Sequence, residues 1–174
     1  MPLTLTRSLP TPHPTDRPAA RPATRATTAG DLEGIVAMAE RCSAESLYRR
    51  FHGATGAPLR RELARTAAGE DDAHRSWLVE AGGAVRGVAT LARGRDGEAH
   101  VAFLVEDAWQ RRGVGRALAR RLHEAARNAG LDEVVADVLA DNLPVIRFAK
   151  AVYPGVVVAF VGMGESRLTI PVGS

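Results

Sequence analysis

One run of residues in this 174-residue chain has the make-up of an anion-gripping turn. It reads Val105-Glu106-Asp107-Ala108-Trp109-Gln110-Arg111-Arg112-Gly113-Val114-Gly115-Arg116 and continues into Ala117 and Leu118. An apolar stretch ends at Val105, and Val114, Leu118, Leu122, Ala125 and Ala129 recur at helical spacing, so the run joins a strand to a helix. The first N–H groups of a helix have no internal partner, and the helix dipole adds partial positive charge there. Gly113 and Gly115 remove side chains, so an anion can approach the backbone, and Arg111 and Arg112 add charge beside it. A diphosphate suits this arrangement, each charge-assisted hydrogen bond contributing about 1.5–3 kcal/mol. A P-loop would need Gly-Lys-Ser/Thr, which is absent. A dinucleotide turn would need Gly or Ala where Leu118 stands, although Asp137 lies at a suitable distance for a ribose. A helix entry that binds nothing is the third possibility, and two glycines there would lower helix stability for no return.

The flanking elements must hold this turn in place. Residues 1–20 are rich in Pro, Thr and Arg, lack periodicity, and read as a disordered leader ahead of a domain at 21–174. Arg21–Ala26 suits a first strand. Thr28 or Asp31 caps a helix carrying Leu32, Ile35, Val36, Ala39 and Cys42 on one face, and Ser43 or Ser46 starts a short helix through Tyr48 and Phe51. Gly53, Gly56 and Pro58 interrupt, and Pro58–Ala68 is helical again. The period then changes: Ser76–Ala81 and Ala84–Ala92 alternate as strands around Gly82-Gly83, a strong hairpin signal. Ala99–Val105 follows as a nearly all-apolar strand, then the helix 113–129, the strand Glu133–Leu139, the helix Asn142–Val152, and strands at Val156–Val161 and Ser166–Pro171. Strand 99–105, the helix and strand 133–139 form a crossover unit, so those two strands should be parallel. The sum is an α+β (mixed α/β) domain: a mixed sheet of about seven strands with helices on both faces.

In this context the turn Gln110-Arg111-Arg112-Gly113-Val114-Gly115 resembles the Q/R-x-x-G-x-G/A signature of the GNAT superfamily of N-acetyltransferases. The likeness runs over residues 21–171 and includes Val138-Leu139-Ala140-Asp141-Asn142 at a strand end. It implies the GNAT fold, with central parallel strands that splay apart, and acetyl-coenzyme A as acyl donor. Its pyrophosphate would lie on residues 110–116, including Val114 and Arg116. Its pantetheine arm would lie near Asn142 and the backbone of Leu104 and Val105. Asn142 also suits a plain N-cap. A narrower likeness links Arg21-Pro22, Asp31, Ser43–Phe51 and Ala99–Asp107 to the acetyltransferase domain of bacterial protein lysine acetyltransferases. Those enzymes often carry a regulatory nucleotide-binding domain, for which this chain has no room.

Acetyl transfer to an amine requires a polarised thioester carbonyl and a deprotonated amine. Fixed backbone donors meet the first need, one donor being worth about 10²–10³ in rate. A free lysine amine, with a pKa near 10.4, is nucleophilic in only about one molecule per thousand at neutral pH. The resemblance puts a catalytic Glu on the fourth strand, and the matching position here is His100. Histidine can act as the base at neutral pH. Glu98, two residues earlier on the same strand face, is the substitute candidate, and a half-buried, hydrogen-bonded ring is the bland alternative for His100. The tyrosine that protonates the thiolate in many relatives would fall at Ala149, and Tyr153 is out of register. Tyr48, Arg50, Phe51 and His52 fall where relatives wall the acceptor site, although a cluster of packing and solvated charge would look the same. Trp109 suits a packing anchor.

Composition narrows the rest. Residues 1–29 carry Arg7, Arg17, Arg21 and Arg25 against Asp16, so the whole formal net charge of +3 sits there and the remainder balances. A domain without basic bias argues against nucleic-acid binding. No run of about 18 apolar residues exists, so no membrane span is expected, and the single Cys42 excludes an internal disulfide and fits a reducing cytoplasm. His13, His52, His74, His100 and His123 show no metal-ligand spacing. The expected partners are acetyl-coenzyme A and an amine acceptor, protein lysine or small molecule, and paired edge strands near the C-terminus leave room for a homodimer. A non-catalytic acyl-coenzyme A-binding sensor or scaffold is the alternative function.

Overall fold

In the computed structural model of the chain the described residues are 22–53, 55–69, 73–94 and 97–173. The expected leader at 1–20 and the first residue of the expected opening strand lie outside them. The elements run β1 (Thr24–Ala26), α1 (Leu32–Glu40), α2 (Ala44–Phe51), α3 (Gly56–Ala67), β2 (His74–Ala81), β3 (Ala84–Arg93), β4 (Ala99–Val105), α4 (Val114–Asn128), β5 (Glu133–Leu139), α5 (Leu143–Val152), β6 (Val157–Gly162) and β7 (Glu165–Pro171). Short 3₁₀ turns precede α1 and follow β4. Most element ends lie within two residues of the sequence reading, and two of the shifts have a plain cause. The third helix starts at Gly56 and takes Pro58 into its first turn, where a missing N–H leaves no bond unmade. The second helix ends at His52 in the left-handed region (φ 51°), one residue ahead of the expected Gly53.

The strands form one sheet in the order β1-β2-β3-β4-β5-β7-β6, antiparallel except for β4 against β5. Gly82 and Gly83 both have positive φ (60° and 72°) and close the β2–β3 hairpin between Ala81 and Ala84. Alternation along β2 serves both faces of the sheet. Trp77 and Val79 join a core under α4 and α5 with Val101, Leu118, Leu122 and Leu168. Leu78 joins a second core with Ile35, Met38, Leu63, Val88 and Leu104 under α1 and α3. Full burial of each large apolar side chain contributes about 1.5–3 kcal/mol. No helix among the described residues is long and apolar enough to cross a membrane. The outer strand β6 leaves Val157, Phe160 and Val161 exposed.

One glycine decides how closely α4 seats on the sheet. Gly87 lies in β3 opposite Val105, and a Cβ added there would come within 2.8 Å of Val114 Cγ1 and 3.2 Å of Leu118 Cδ1. Its bare backbone lets the first turn of α4 press against β3. Val114, Ala117, Leu118, Leu122, Ala125 and Ala126 form the buried stripe of that helix. The N-terminus of α4 is thereby held beside the end of β4.

Candidate active site

The parallel pair β4 and β5 meets in register at a single position, His100 opposite Val135. Beyond it β4 stays with β3 as far as Val105, and β5 runs with β7 over Glu133–Leu139. One edge of β4 is therefore without a strand partner, so backbone polar groups there face the gap. The gap is a cleft of about 810 Å³ lined by residues 101–105 of β4, Ala136 and Val138 of β5, Phe148 and Ala149 of α5, and residues of α2.

At one end the cleft is lined by Arg111, Gly113, Gly115 and Arg116. Gly113 caps α4 with φ 87°, and the first ladder bond runs from Ala117 N to Gly113 O at 2.9 Å. The amides of Val114, Gly115 and Arg116 precede that bond and have no helical acceptor. A Cβ on Gly113 would meet nothing within 4 Å, and one on Gly115 would meet only the Phe148 ring at 3.6 Å, so the space before the turn is open. The turn is anchored from behind. The Trp109 backbone N–H donates to Glu106 O at 2.8 Å, and the guanidiniums of Arg86 (5.0 Å) and Arg112 (5.5 Å) both lie over its ring. Glu106, itself buried, accepts from Arg86 Nη1 at 2.9 and 3.1 Å and from Arg41 Nε at 3.0 Å. Burial alone would raise its carboxyl, but the two guanidiniums outweigh that and hold it below the ordinary carboxylate range.

Helix α2 runs along the cleft from this end to the other. At its start Asp107 accepts from Ser43 N (2.8 Å), Ser43 Oγ (2.9 Å) and Ser46 Oγ (2.8 Å), while Ser43 Oγ caps the helix by accepting from Ser46 N at 3.1 Å. In mid-helix Arg49 pairs with Glu45 and donates to Asn142 Oδ1 at 3.5 Å. At its end His52 Nδ1 lies 3.1 Å from Glu165 Oε1 of β7.

The far end gathers ionisable groups. Asp137 and Arg167 stand opposite each other across β5 and β7, and Arg167 Nε and Nη2 donate to the Asp137 carboxylate at 2.8 and 3.0 Å. Arg167 Nη1 donates to Glu98 Oε2 at 2.9 Å. The His100 ring lies between these carboxylates, with Nδ1 3.8 Å from Asp137 Oδ2 and Nε2 3.8 Å from Glu98 Oε2. Arg167 keeps Asp137 below the usual carboxylate range against the opposing effect of burial. Arg50, Phe51, His52 and Glu62 complete the wall.

The residues singled out in the sequence divide accordingly. Gly113, Gly115, Arg111, Arg116, Gln110, Asn142, His100, Arg50, Phe51, Leu104 and Val105 all line the cleft, but several are committed elsewhere. Gln110 Nε2 is drawn to Val105 O at 3.3 Å and Ser46 Oγ at 3.4 Å, so it ties the turn to β4 and α2. The Leu104 side chain is buried in the α1/α3 core and that of Val114 under α4, which leaves their backbones as the groups available to a ligand. Arg112 lies on the face of Trp109 and Tyr48 is exposed, both away from the cleft lining. Asn142 is both a cap, accepting from Val145 N at 3.4 Å, and a cleft residue. Ala149 lines the cleft, and the buried Tyr153 donates its hydroxyl to Ala119 O at 3.1 Å. Cys42 is buried in the core, its thiol pushed up to about 11 chiefly by burial. Sequence reasoning missed Arg167, Glu165 and Arg49, and met Asp137 only as a ribose ligand. The opposite charges at 137 and 167 were visible, but their pairing depends on strand register.

The model of the acetyltransferase (GNAT) family matches residues 41–152, which includes both strands of the gap and the turn between them. The chain is similar to the GNAT domain of the S. lividans protein PAT, with 27% identity, coverage of 90% of this chain and 99% of that one, and a TM-score of 0.74. It also resembles a cAMP-binding acyltransferase from Mycobacterium smegmatis at 27% identity, over 85% of this chain and 43% of that one, with a TM-score of 0.53. The fold alone is shared with yncA of Salmonella typhimurium, solved with its cofactor acetyl-CoA: 18% identity, 88% and 95% coverage, TM-score 0.67. The match spans well over half of the residues and takes in the elements that open the cleft, so this chain belongs to the GNAT family of acetyltransferases.

Proposed function

We propose that this protein transfers an acetyl group from acetyl-coenzyme A to a primary amine by direct attack of the amine on the thioester. The observation that carries this reading is the single register position shared by β4 and β5, which opens a gap with unpaired helix amides at one end and His100 at the other. The donor's pyrophosphate takes the amides of Val114, Gly115 and Arg116, assisted by Arg111 and Arg116. Its pantetheine arm follows the unpaired edge of β4 past Asn142, whose Oδ1 is steadied by Arg49. The backbone edge at Leu104 and Val105 supplies the fixed dipoles that polarise the thioester carbonyl.

His100 takes the proton from the amine as the new C–N bond forms and the C–S bond breaks. The carboxylates of Asp137 and Glu98 flank the positive charge that the ring then bears, and Arg167 donates to both and holds them in place. That commitment makes Glu98 the poorer base of the two. Ala149 offers no proton, and the Tyr153 hydroxyl is occupied by Ala119 O, so coenzyme A departs as the thiolate without help from α5. A protein lysine and a small-molecule amine are both compatible acceptors, and the likeness to the S. lividans domain favours testing protein substrates alongside simple amines.

The test is thermal stabilisation by acetyl-coenzyme A, followed by acetylation of an amine panel. We expect stabilisation that Gly115→Glu, or Arg111→Ala with Arg116→Ala, strongly reduces. No shift at millimolar donor would reject the site. Binding without turnover on any amine would leave a sensor or scaffold instead.

A further inference from the structure

Most arginines around the cleft are already engaged. Arg49 serves Glu45 and Asn142, Arg167 serves Asp137 and Glu98, Arg86 and Arg41 serve Glu106, and Arg111 and Arg116 lie at the phosphate end. Arg50 differs. It is half-buried at the C-terminal end of α2, lines the cleft, and stacks over the adjacent Phe51 ring at 4.7 Å. Among the described residues no carboxylate lies within ion-pairing distance of it. Glu62, across the wall on α3, acts on it only through its field, and its neighbours at this end include His52 and the cation Arg49. Desolvation weakens its hold on the proton.

A guanidinium drawn partly out of water needs compensation. Its planar fork of donors matches a carboxylate in a bidentate pair. Stacking on Phe51 fixes the plane of that fork in advance, which lowers the ordering cost of the pair. Helix α2 starts at the phosphate turn and ends beside β7, so Arg50 lies two residues from the His52–Glu165 contact, toward the His100 end. From this we infer that Arg50 receives a carboxylate carried by one of the two substrates at the reacting end of the cleft. The carboxylate belongs either to the acceptor, as an amine with an acid group nearby, or to the donor, as an acyl group ending in a carboxylate. The inference rests on the acyl-transfer reading above and specifies its substrate class.

Two arms distinguish the sources. In the donor arm, kcat/KM and thermal stabilisation are compared for succinyl- and acetyl-coenzyme A. In the acceptor arm, acetyl-coenzyme A is used with 4-aminobutyrate against butylamine, and with lysine peptides carrying Glu against Gln beside the lysine. At least a tenfold preference for the carboxylate-bearing member is expected in one arm. Arg50→Met, which keeps much of the apolar stem, should collapse that ratio toward one, and Arg50→Lys, which keeps charge but loses the fork, should lower it less. The inference is overturned if neither arm shows a preference, or if both variants lower the two members of a pair equally. Should acetyl-coenzyme A fail to stabilise the protein at all, the acyl-transfer reading itself is what falls.

Discussion

At the proposed phosphate end of the cleft the groups offered to a ligand are backbone amides beside Arg111 and Arg116, held by a left-handed glycine and braced by a tryptophan whose ring meets the guanidiniums of Arg86 and Arg112. At the reacting end they are ionisable side chains, with His100 between Glu98 and Asp137 and both acids held by Arg167. The first end draws on one continuous stretch, residues 106–116. The second draws on β4, β5, β7 and α2. Amides do not titrate and need no rotamer ordering, so the donors of that end are ready-made. The reacting end depends on charge states and on side chains brought together from afar. One end can therefore bind while the other, altered, fails to react.

The largest effect that would test this division is on turnover. His100→Ala should lower kcat/KM by about 10²–10⁴ while stabilisation by acetyl-coenzyme A persists. Loss of both together would show that the two ends are not separable. Next comes the packing that aims the amides. Gly87→Val should destabilise the fold by about 1–3 kcal/mol, read by chemical denaturation, and weaken donor binding with the reacting residues untouched. Donor affinity equal to that of the native chain would mean that the seating of α4 does not set the amide positions.

A smaller effect separates brace from site. Glu106→Gln should cost about 1–3 kcal/mol at neutral pH, because Arg86 and Arg41 lose a charged partner. The carboxyl of Glu106 is depressed in the folded state, so its contribution is present above the unfolded value near 4.3 and lost as pH falls through the lower folded value. The native and variant stabilities should therefore converge on acidification, and a constant gap down to pH 2 would contradict the assignment. The smallest effect concerns Cys42, buried in the second core. Its thiol, raised to about 11, should react with iodoacetamide at pH 8 only on unfolding, and rapid labelling of the native chain would contradict its burial.

The turn proposed to hold the phosphates was legible in the residues as a glycine-opened helix start because its determinants are local. Gly113 and Gly115 at a strand-to-helix junction announce free amides whatever surrounds them. The crossover of 99–105, 113–129 and 133–139 announced a parallel pair, and the helix and strand periods agreed nearly everywhere with the elements formed. Trp109 was read as an anchor, and Cys42 as core, from the same local patterns. Less was legible where residues had two uses. Leu104 and Val114 proved to be core side chains with useful backbones, Arg112 turned onto Trp109, and Tyr48 stayed outside the cleft.

The order of residues by itself determined the elements, the α+β class and the glycine turn that opens α4, because helix and strand periods and glycine's access to positive φ act over a few neighbours. Only the tertiary structure decided that β4 and β5 pair in register at one position, that Asp137 faces Arg167, that Gly87 admits Val114, and that Arg50 has no carboxylate within ion-pairing distance among the described residues. These depend on strand register and on how closely a helix seats on a sheet. Such distances are set by the packing of segments far apart in the chain, and no local pattern carries them.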